Sequence, residues 1–171
     1  MEYPTYADVL AARDFTRPYL PETPLVYSWQ LSKLLGCEYY IKCENMHPVG
    51  AFKVRGGVNL VGNLSVEERS VGIVSASTGN HGQSLAYAGH LFDVPVRIYG
   101  PAKNANRDKV EAMRALGAEV CLHGADFDEA REEAGRAAVE TGARFVHSAN
   151  EKALIAGVGV MGLELFDAQP D

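Results

Sequence analysis

Short apolar runs alternate with longer amphipathic runs from residue 71 to near the end of the chain. The apolar runs predict four buried strands, at 71–77, 94–100, 118–124 and 143–148. The amphipathic runs predict four helices, at 80–92, 104–117, 126–142 and 151–167. This alternation is typical of βα units, so we predict an α/β fold with an open parallel sheet and flanking helices.

The first 70 residues follow a different pattern and form a separate layer in this prediction. A helix is predicted in 3–16, and strands are predicted in 21–29 and 37–45. A turn rich in Pro and Gly then leads into a short helix that contains Lys53. We expect domain boundaries near 50–56 and 149–153.

Composition and charge narrow the class of protein. The chain has 171 residues with 47% hydrophobic content, enough for a packed core. Its net charge of -6, with scattered Lys and Arg, argues against a nucleic-acid partner. No apolar stretch is long enough to span a bilayer and the start does not resemble a signal peptide, so we expect a cytoplasmic protein without a membrane partner. The three cysteines lack metal-site spacing, so we expect buried free thiols and no metal.

The turn SASTGNHGQ, at 75–83, is the first candidate for a binding site. It joins a predicted strand to a predicted helix, so free N–H groups of the first helical turn face the sheet edge and attract anions. Ser77, Thr78 and Asn80 add polar side chains, and Gly79 permits a close backbone approach. The turn can receive a carboxylate. The alternative is that these side chains only cap the helix.

Lys53, in the run AFKVRGG, is the second candidate. A lysine between Phe52 and Val54 would be partly desolvated, and desolvation lowers the pKa of an amine toward nucleophilic use. The alternative is an ordinary lysine at a helix start, with its stem on apolar surface and its head in water.

The two segments together resemble the SFKxRG and S-[ST]-G-N-H-[AG]-Q motifs of fold-type II pyridoxal-phosphate enzymes, in the threonine dehydratase and serine racemase branch. Cysteine synthases and threonine synthases fit less well, because they place another residue where His81 stands. The resemblance covers nearly all of the chain. It extends to TPL at 23–25, KCENMHPVGAFKVRGG at 42–57, NRDKVEAMRALGAEV at 106–120, and FVHSAN to MGLEL at 145–165.

The resemblance implies a fold like that of the tryptophan synthase β chain, with the small domain complete and the large domain partial. Residues 1–52 would be the N-terminal part of the large domain, 53–150 the small α/β domain, and 151–171 the start of the return to the large domain. The family's glycine-rich phosphate-binding loop would come after Asp171. The sequence looks interrupted there, as the N-terminal portion of a longer enzyme.

The resemblance also implies roles for individual residues. Lys53 would bond to pyridoxal 5'-phosphate and take the Cα proton, Phe52 would lie beside the cofactor, and Asn80 would hydrogen-bond its phenolic oxygen. Thr78 would supply a catalytic hydroxyl on the opposite face. The substrate carboxylate would be bound by Ser77, Thr78, Gly79, Asn80 and His81.

The implied reaction is the elimination of water from L-threonine or L-serine, which gives an enamine that hydrolyses to a 2-oxo acid and ammonia. The alternatives are a serine racemase, another hydroxy amino acid lyase of the branch, and a carboxylate-binding fragment without catalysis. A homodimer, or a complementing C-terminal fragment, is the expected partner.

Three positions depart from the branch's motifs. Ala51 stands where the family usually has Ser, and GVGV at 157–160 stands where the branch commonly has GQGT. Thr78 replaces the serine of the racemases and crowds its hydroxyl, which makes dehydration the favoured prediction over racemisation.

Overall fold

The computed structural model describes residues 2–103 and 105–170. Within these ranges the chain forms eight α-helices and six strands. The helices are α1 (Tyr6–Thr16), α2 (Trp29–Leu35), α3 (Lys53–Gly62), α4 (Val66–Val71), α5 (Asn80–Phe92), α6 (Arg107–Ala115), α7 (Phe127–Thr141) and α8 (Lys152–Ala168). The strands are β1 (Leu25–Tyr27), β2 (Tyr40–Lys42), β3 (Ile73–Ala76), β4 (Val96–Gly100), β5 (Glu119–Leu122) and β6 (Arg144–Phe145).

Four strands form a parallel sheet in the order β5-β4-β3-β6, which confirms the predicted fold class. Strand β3 is central and all four of its residues are buried, as expected where helices cover both faces of a parallel sheet. Strands β1 and β2 form a separate antiparallel pair.

Two hydrophobic clusters lie on opposite faces of the sheet because side chains alternate along β3. Ile73 faces a cluster built from α3, α5 and β4, with Val58, Leu85 and Ile98 fully or almost fully buried. Val74 faces the other cluster, which α7 completes. The contacts from α7 are four buried alanines, Ala130, Ala134, Ala137 and Ala138. Their small side chains let α7 lie close against the sheet.

Several element boundaries differ from the prediction. The helix predicted at 80–92 is confirmed, but the strand predicted at 71–77 was wrong at its start, because α4 occupies 66–71. Ser65 and Glu68 form a capping box that begins α4. Gly72 then turns the chain into β3 with φ +90°, a conformation that favours glycine.

Other local features were also missed. Helix α2 was not predicted, although Gly36 ends it in the left-handed conformation typical of a helix C-terminus. The strand predicted at 143–148 is shorter, because it ends at Phe145 and the chain turns after Val146. In this turn His147 Nδ1 accepts hydrogen bonds from the N–H groups of Ala149 and Asn150.

The cysteines are free within the described ranges, but the expected burial was wrong. Cys37 is exposed, and Cys43 and Cys121 are only partly buried. Cys37 directly follows Gly36, the surface residue that ends α2, so the chain does not carry its side chain into a core.

Candidate active site

Lys53 is the first residue of α3 and is half-buried. Its Nζ lies 3.5 Å from the carbonyl oxygen of Ser148 and 5.6 Å from the centroid of the Phe52 ring. Among the described residues no carboxylate forms an ion pair with this amine. An amine held only by a long contact to a carbonyl can move to a ligand without breaking a strong interaction.

Lys53 borders a pocket of about 180 Å³, which lies between the starts of α3, α5 and α8. Phe52 and His81 also line it, so the structure brings three of the predicted site residues together. The full set of lining residues is Phe52, Lys53, Gly56, His81, Ser148, Ala149, Leu154, Ile155 and Val158. The four residues 77–80 are outside this set, on the turn that leads into α5.

The hydroxyl of Ser77 caps α5. Ser77 is buried, and its Oγ accepts hydrogen bonds from Gly82 N at 2.9 Å and Gly79 N at 3.2 Å. This is the capping role that the sequence left open for this residue. The N–H groups of Thr78, Asn80 and His81 have no acceptor in the part of the chain that the structure describes. They remain available as donors at a helix N-terminus.

The turn is open on its outer side. Thr78 and Asn80 are exposed, and a Cβ placed on Gly79 would meet no atom within 4 Å. A ligand carboxylate can therefore approach the free N–H groups without displacing protein atoms.

Lys109 orients the side chain of Asn80, and sequence reasoning missed it. Its Nζ donates to Asn80 Oδ1 at 2.7 Å and to Gln83 Oε1 at 2.9 Å. Because Oδ1 already accepts, the free donor of the Asn80 amide is Nδ2. Lys109 lies in α6, and no spacing in the sequence indicates that it reaches α5.

His81 is a buried, neutral imidazole in this site. Its Nε2 lies 3.0 Å from Ser75 Oγ. Burial and, to a smaller extent, the nearby charges of Lys53 and His147 lower the pKa of His81 to about 4. The ring is therefore uncharged at neutral pH and adds no positive charge to the pocket.

The low pKa of His81 predicts acid sensitivity of the fold. The pKa lies below the unfolded value of 6.5, so on acidification the unfolded chain binds the proton first. The contribution to stability is complete above pH 6.5 and is lost as the pH falls toward 4. We expect His81 to account for a loss of about 2–3 kcal/mol between pH 7 and pH 4.5.

Urea unfolding of the wild type and of His81→Gln at both pH values measures this loss. The variant lacks the imidazole, so its free energy of unfolding should depend less on pH by about that amount. Equal pH dependence of the two proteins would contradict the prediction.

The described residues contain no group of three or more His, Cys, Asp or Glu side chains placed to hold a metal ion. Among the same residues, no helix is both long and apolar enough to cross a membrane.

Comparison with known proteins gives a consistent result. The family model described as "Pyridoxal-phosphate dependent enzyme" matches residues 16–171. An L-threonine ammonia-lyase of Thermotoga maritima is 43% identical over 98% of this chain and 41% of its own length. A beta-hydroxyaspartate dehydratase of Paracoccus denitrificans is 35% identical over 98% of this chain and 53% of its own length.

A solved structure of maize serine racemase superimposes with a TM-score of 0.92 at 30% identity, over 99% of this chain and 52% of that one. The chain therefore spans about half the length of the relatives that it matches.

Proposed function

The chain belongs to the family of pyridoxal-phosphate dependent enzymes, and from this premise we propose that it is part of an ammonia-lyase acting on L-threonine or L-serine. Such an enzyme removes water from a β-hydroxy amino acid, and the resulting enamine is hydrolysed by water to a 2-oxo acid and ammonia. The observation that carries the proposal is the position of Lys53, which lies at a pocket beside α5 without a carboxylate partner in the described part of the chain. The similarity to a threonine ammonia-lyase supports it.

The groups at the pocket and on the neighbouring turn into α5 fit the aldehyde end of the cofactor. Lys53 offers a primary amine, Phe52 an aromatic ring that is 38% exposed, and Asn80 a free amide donor. These groups suit an aldehyde, a flat ring and a phenolic oxygen, respectively. When bound, the cofactor supplies an electron sink for the negative charge that develops at the substrate Cα.

Each residue then has a defined task. Lys53 Nζ, as the free base, takes the proton from Cα. The free N–H groups of Thr78, Asn80 and His81 bind the substrate carboxylate at the start of α5. Gly79 leaves the space that this carboxylate needs, and Thr78 is exposed on the same turn. Ser77 acts indirectly, because its hydroxyl holds the turn by accepting a hydrogen bond from Gly82 N.

We also propose the domain division at residues 52–53 and 150–151. Helices α1 and α8 pack together through Ala12, Ala156 and Val160, and Arg13 pairs with Asp167. This contact supports placing the two ends of the chain in one domain. The protein is further proposed to be cytoplasmic and to act as a homodimer on a small amino acid.

An assay of 2-oxo acid release by the full-length protein tests the proposal. L-Threonine or L-serine should yield the corresponding 2-oxo acid together with ammonia, whereas L-alanine, which has no β-leaving group, should yield none. Absence of a 2-oxo acid from every β-hydroxy amino acid tested would overturn the proposal.

Racemisation is the second candidate, because the exposed Thr78 carries a hydroxyl on the turn into α5 and the maize neighbour is a serine racemase. Accumulation of D-serine from L-serine without 2-oxo acid would favour it over dehydration.

A further inference from the structure

Two hydrogen bonds connect the His81 ring to the end of β6 through Ser75. Ser75 lies in the central strand β3 and is 0% exposed. Its Oγ lies 2.7 Å from the carbonyl oxygen of Val146 and 3.0 Å from His81 Nε2. The three residues come from β3, α5 and the turn after β6, so the connection depends on the packing of the sheet.

The number of protons available in these two hydrogen bonds determines the tautomer of His81. A carbonyl oxygen can only accept, so the single hydroxyl proton of Ser75 is donated to Val146. The Ser75 oxygen must then accept from His81, and Nε2 must carry a proton. In a neutral imidazole the other nitrogen, Nδ1, is therefore an acceptor.

The surroundings of the ring favour this neutral form. His81 lines the pocket beside Lys53, and it is 7% exposed. Burial and the lysine charge both oppose a second proton on the ring. Nδ1 has no hydrogen-bond partner among the described residues, which leaves it to a ligand.

We propose that Ser75 is a positioning residue that holds His81 in the Nε2–H tautomer, so that Nδ1 accepts a hydrogen bond from the bound amino acid. The donor is the ammonium or the β-hydroxyl of the substrate, since both carry a proton that a neutral imidazole nitrogen can accept. This inference rests on the proposed function for the identity of the ligand, but the tautomer itself does not.

Ser84 provides a matched control. It is also 0% exposed, and its Oγ donates to the carbonyl oxygen of His81 at 2.7 Å. Ser84→Ala and Ser75→Ala each remove a buried hydroxyl that donates to a carbonyl, but only Ser75 contacts the imidazole ring.

The experiment is NMR of the full-length holoenzyme with ¹⁵N-labelled histidine at pH 7. Correlations between the carbon-bound protons of the imidazole ring and the two ring nitrogens show which nitrogen carries a proton and which is an acceptor. The chain has five histidines, and His81→Gln identifies the His81 signals. Wild type and Ser84→Ala should show one His81 tautomer with the proton on Nε2. Ser75→Ala should show mixed tautomers or the Nδ1–H form.

Steady-state kinetics supply the second measurement. Loss of the positioned acceptor should raise KM for L-threonine about tenfold in Ser75→Ala, with kcat changed less than about threefold. Ser84→Ala should keep the KM of the wild type.

A His81 proton on Nδ1 in the wild type would overturn the inference, and that measurement needs no variant to fold. An unchanged tautomer in Ser75→Ala, or equal KM values for the two variants, would also overturn it. Failure of the proposed function gives a different result, because the wild type would then release no 2-oxo acid. The tautomer of His81 would still show whether Ser75 positions the ring.

Discussion

Replacing Lys53 by alanine in the full-length protein should abolish release of 2-oxo acid from L-threonine. Under the proposed function, the substitution removes both the amine that would bond to the cofactor and the base that would take the Cα proton. Loss of a positioned base alone costs up to about 10⁴-fold in rate, and loss of the covalent link adds to this, so we expect a decrease of roughly 10⁴-fold or more.

The same substitution should leave the protein folded. The Lys53 side chain is half-buried, and the described interactions of its Nζ are a 3.5 Å contact to Ser148 O and a weak approach to the Phe52 ring. Lys33, an exposed lysine of α2, is the matched control, and Lys33→Ala should retain turnover. Lys53→Arg should be inactive although it keeps the positive charge, because a guanidinium does not act as a free amine.

Visible absorption and borohydride reduction measure the covalent link directly. The wild type should show a cofactor absorption band, and after reduction and peptide mapping the label should lie on Lys53. Lys53→Ala should lose both signals, and Lys33→Ala should lose neither. Unchanged turnover in Lys53→Ala would refute the assignment of Lys53 as the catalytic amine.

Replacing Arg55 by methionine should destabilise the fold by about 3–5 kcal/mol, the usual cost of breaking a buried ion pair from one side. Arg55 is 1% exposed and lies two residues after Lys53 in α3. Its guanidinium donates to both oxygens of Glu44 and to both oxygens of Glu164, at 2.7–2.8 Å. Without Arg55, Glu164 would keep Lys42 at 2.6 Å, whereas Glu44 would keep the Thr23 hydroxyl at 2.6 Å and the His47 ring at 3.5 Å.

Lys42, Glu44, Arg55 and Glu164 form a buried charge cluster that joins three parts of the chain. Lys42, at the end of β2, contacts Glu164 of α8 at 2.6 Å and donates to the carbonyl oxygen of Thr23. Burial alone would raise the pKa of Glu44, but hydrogen bonds from Arg55 and Thr23 outweigh it and hold this pKa below its usual value. We infer that the cluster fixes the start of α3, and with it Lys53, against β2 and α8.

Denaturant unfolding measures this destabilisation. Arg131→Ala is the control, because Arg131 makes an exposed ion pair with Asp128 within α7, and such pairs contribute about 0–1 kcal/mol. Arg55→Lys should recover only part of the loss, since an ammonium cannot bind two carboxylates in the planar geometry of a guanidinium. If Arg55→Met lost no more stability than Arg131→Ala, the cluster would not be a determinant of the fold.

Much of the architecture was predictable because it depends on local patterns. The alternation of apolar and amphipathic runs predicted the parallel sheet, and the run at 80–92 predicted α5 with its bounds. The errors arose where short-range geometry overrides periodicity. Val71 continues an apolar run but ends α4, because Gly72 turns the backbone there, and β6 ends early because His147 stabilises a turn.

The candidate site was predictable only in part. The motifs singled out Lys53 and the residues from Ser77 to His81, and the pocket brings Lys53 and His81 together. The sequence did not indicate a role for three further residues, because their local patterns are ordinary. These are Ser75 in a strand, Lys109 in an exposed helix and Arg55 within a motif. Their roles depend on partners that lie 6 to 109 positions away in the chain.

The sequence by itself determined the α/β alternation, the turn at the start of α5 and the two candidate segments, because periodicity, capping residues and motifs are local properties of the chain. Only the tertiary structure decided which side-chain oxygens accept from Lys109, which nitrogen of His81 carries the proton, and which carboxylates surround Arg55. Each of these depends on distances and donor directions between elements that are far apart in the chain, and packing sets those distances.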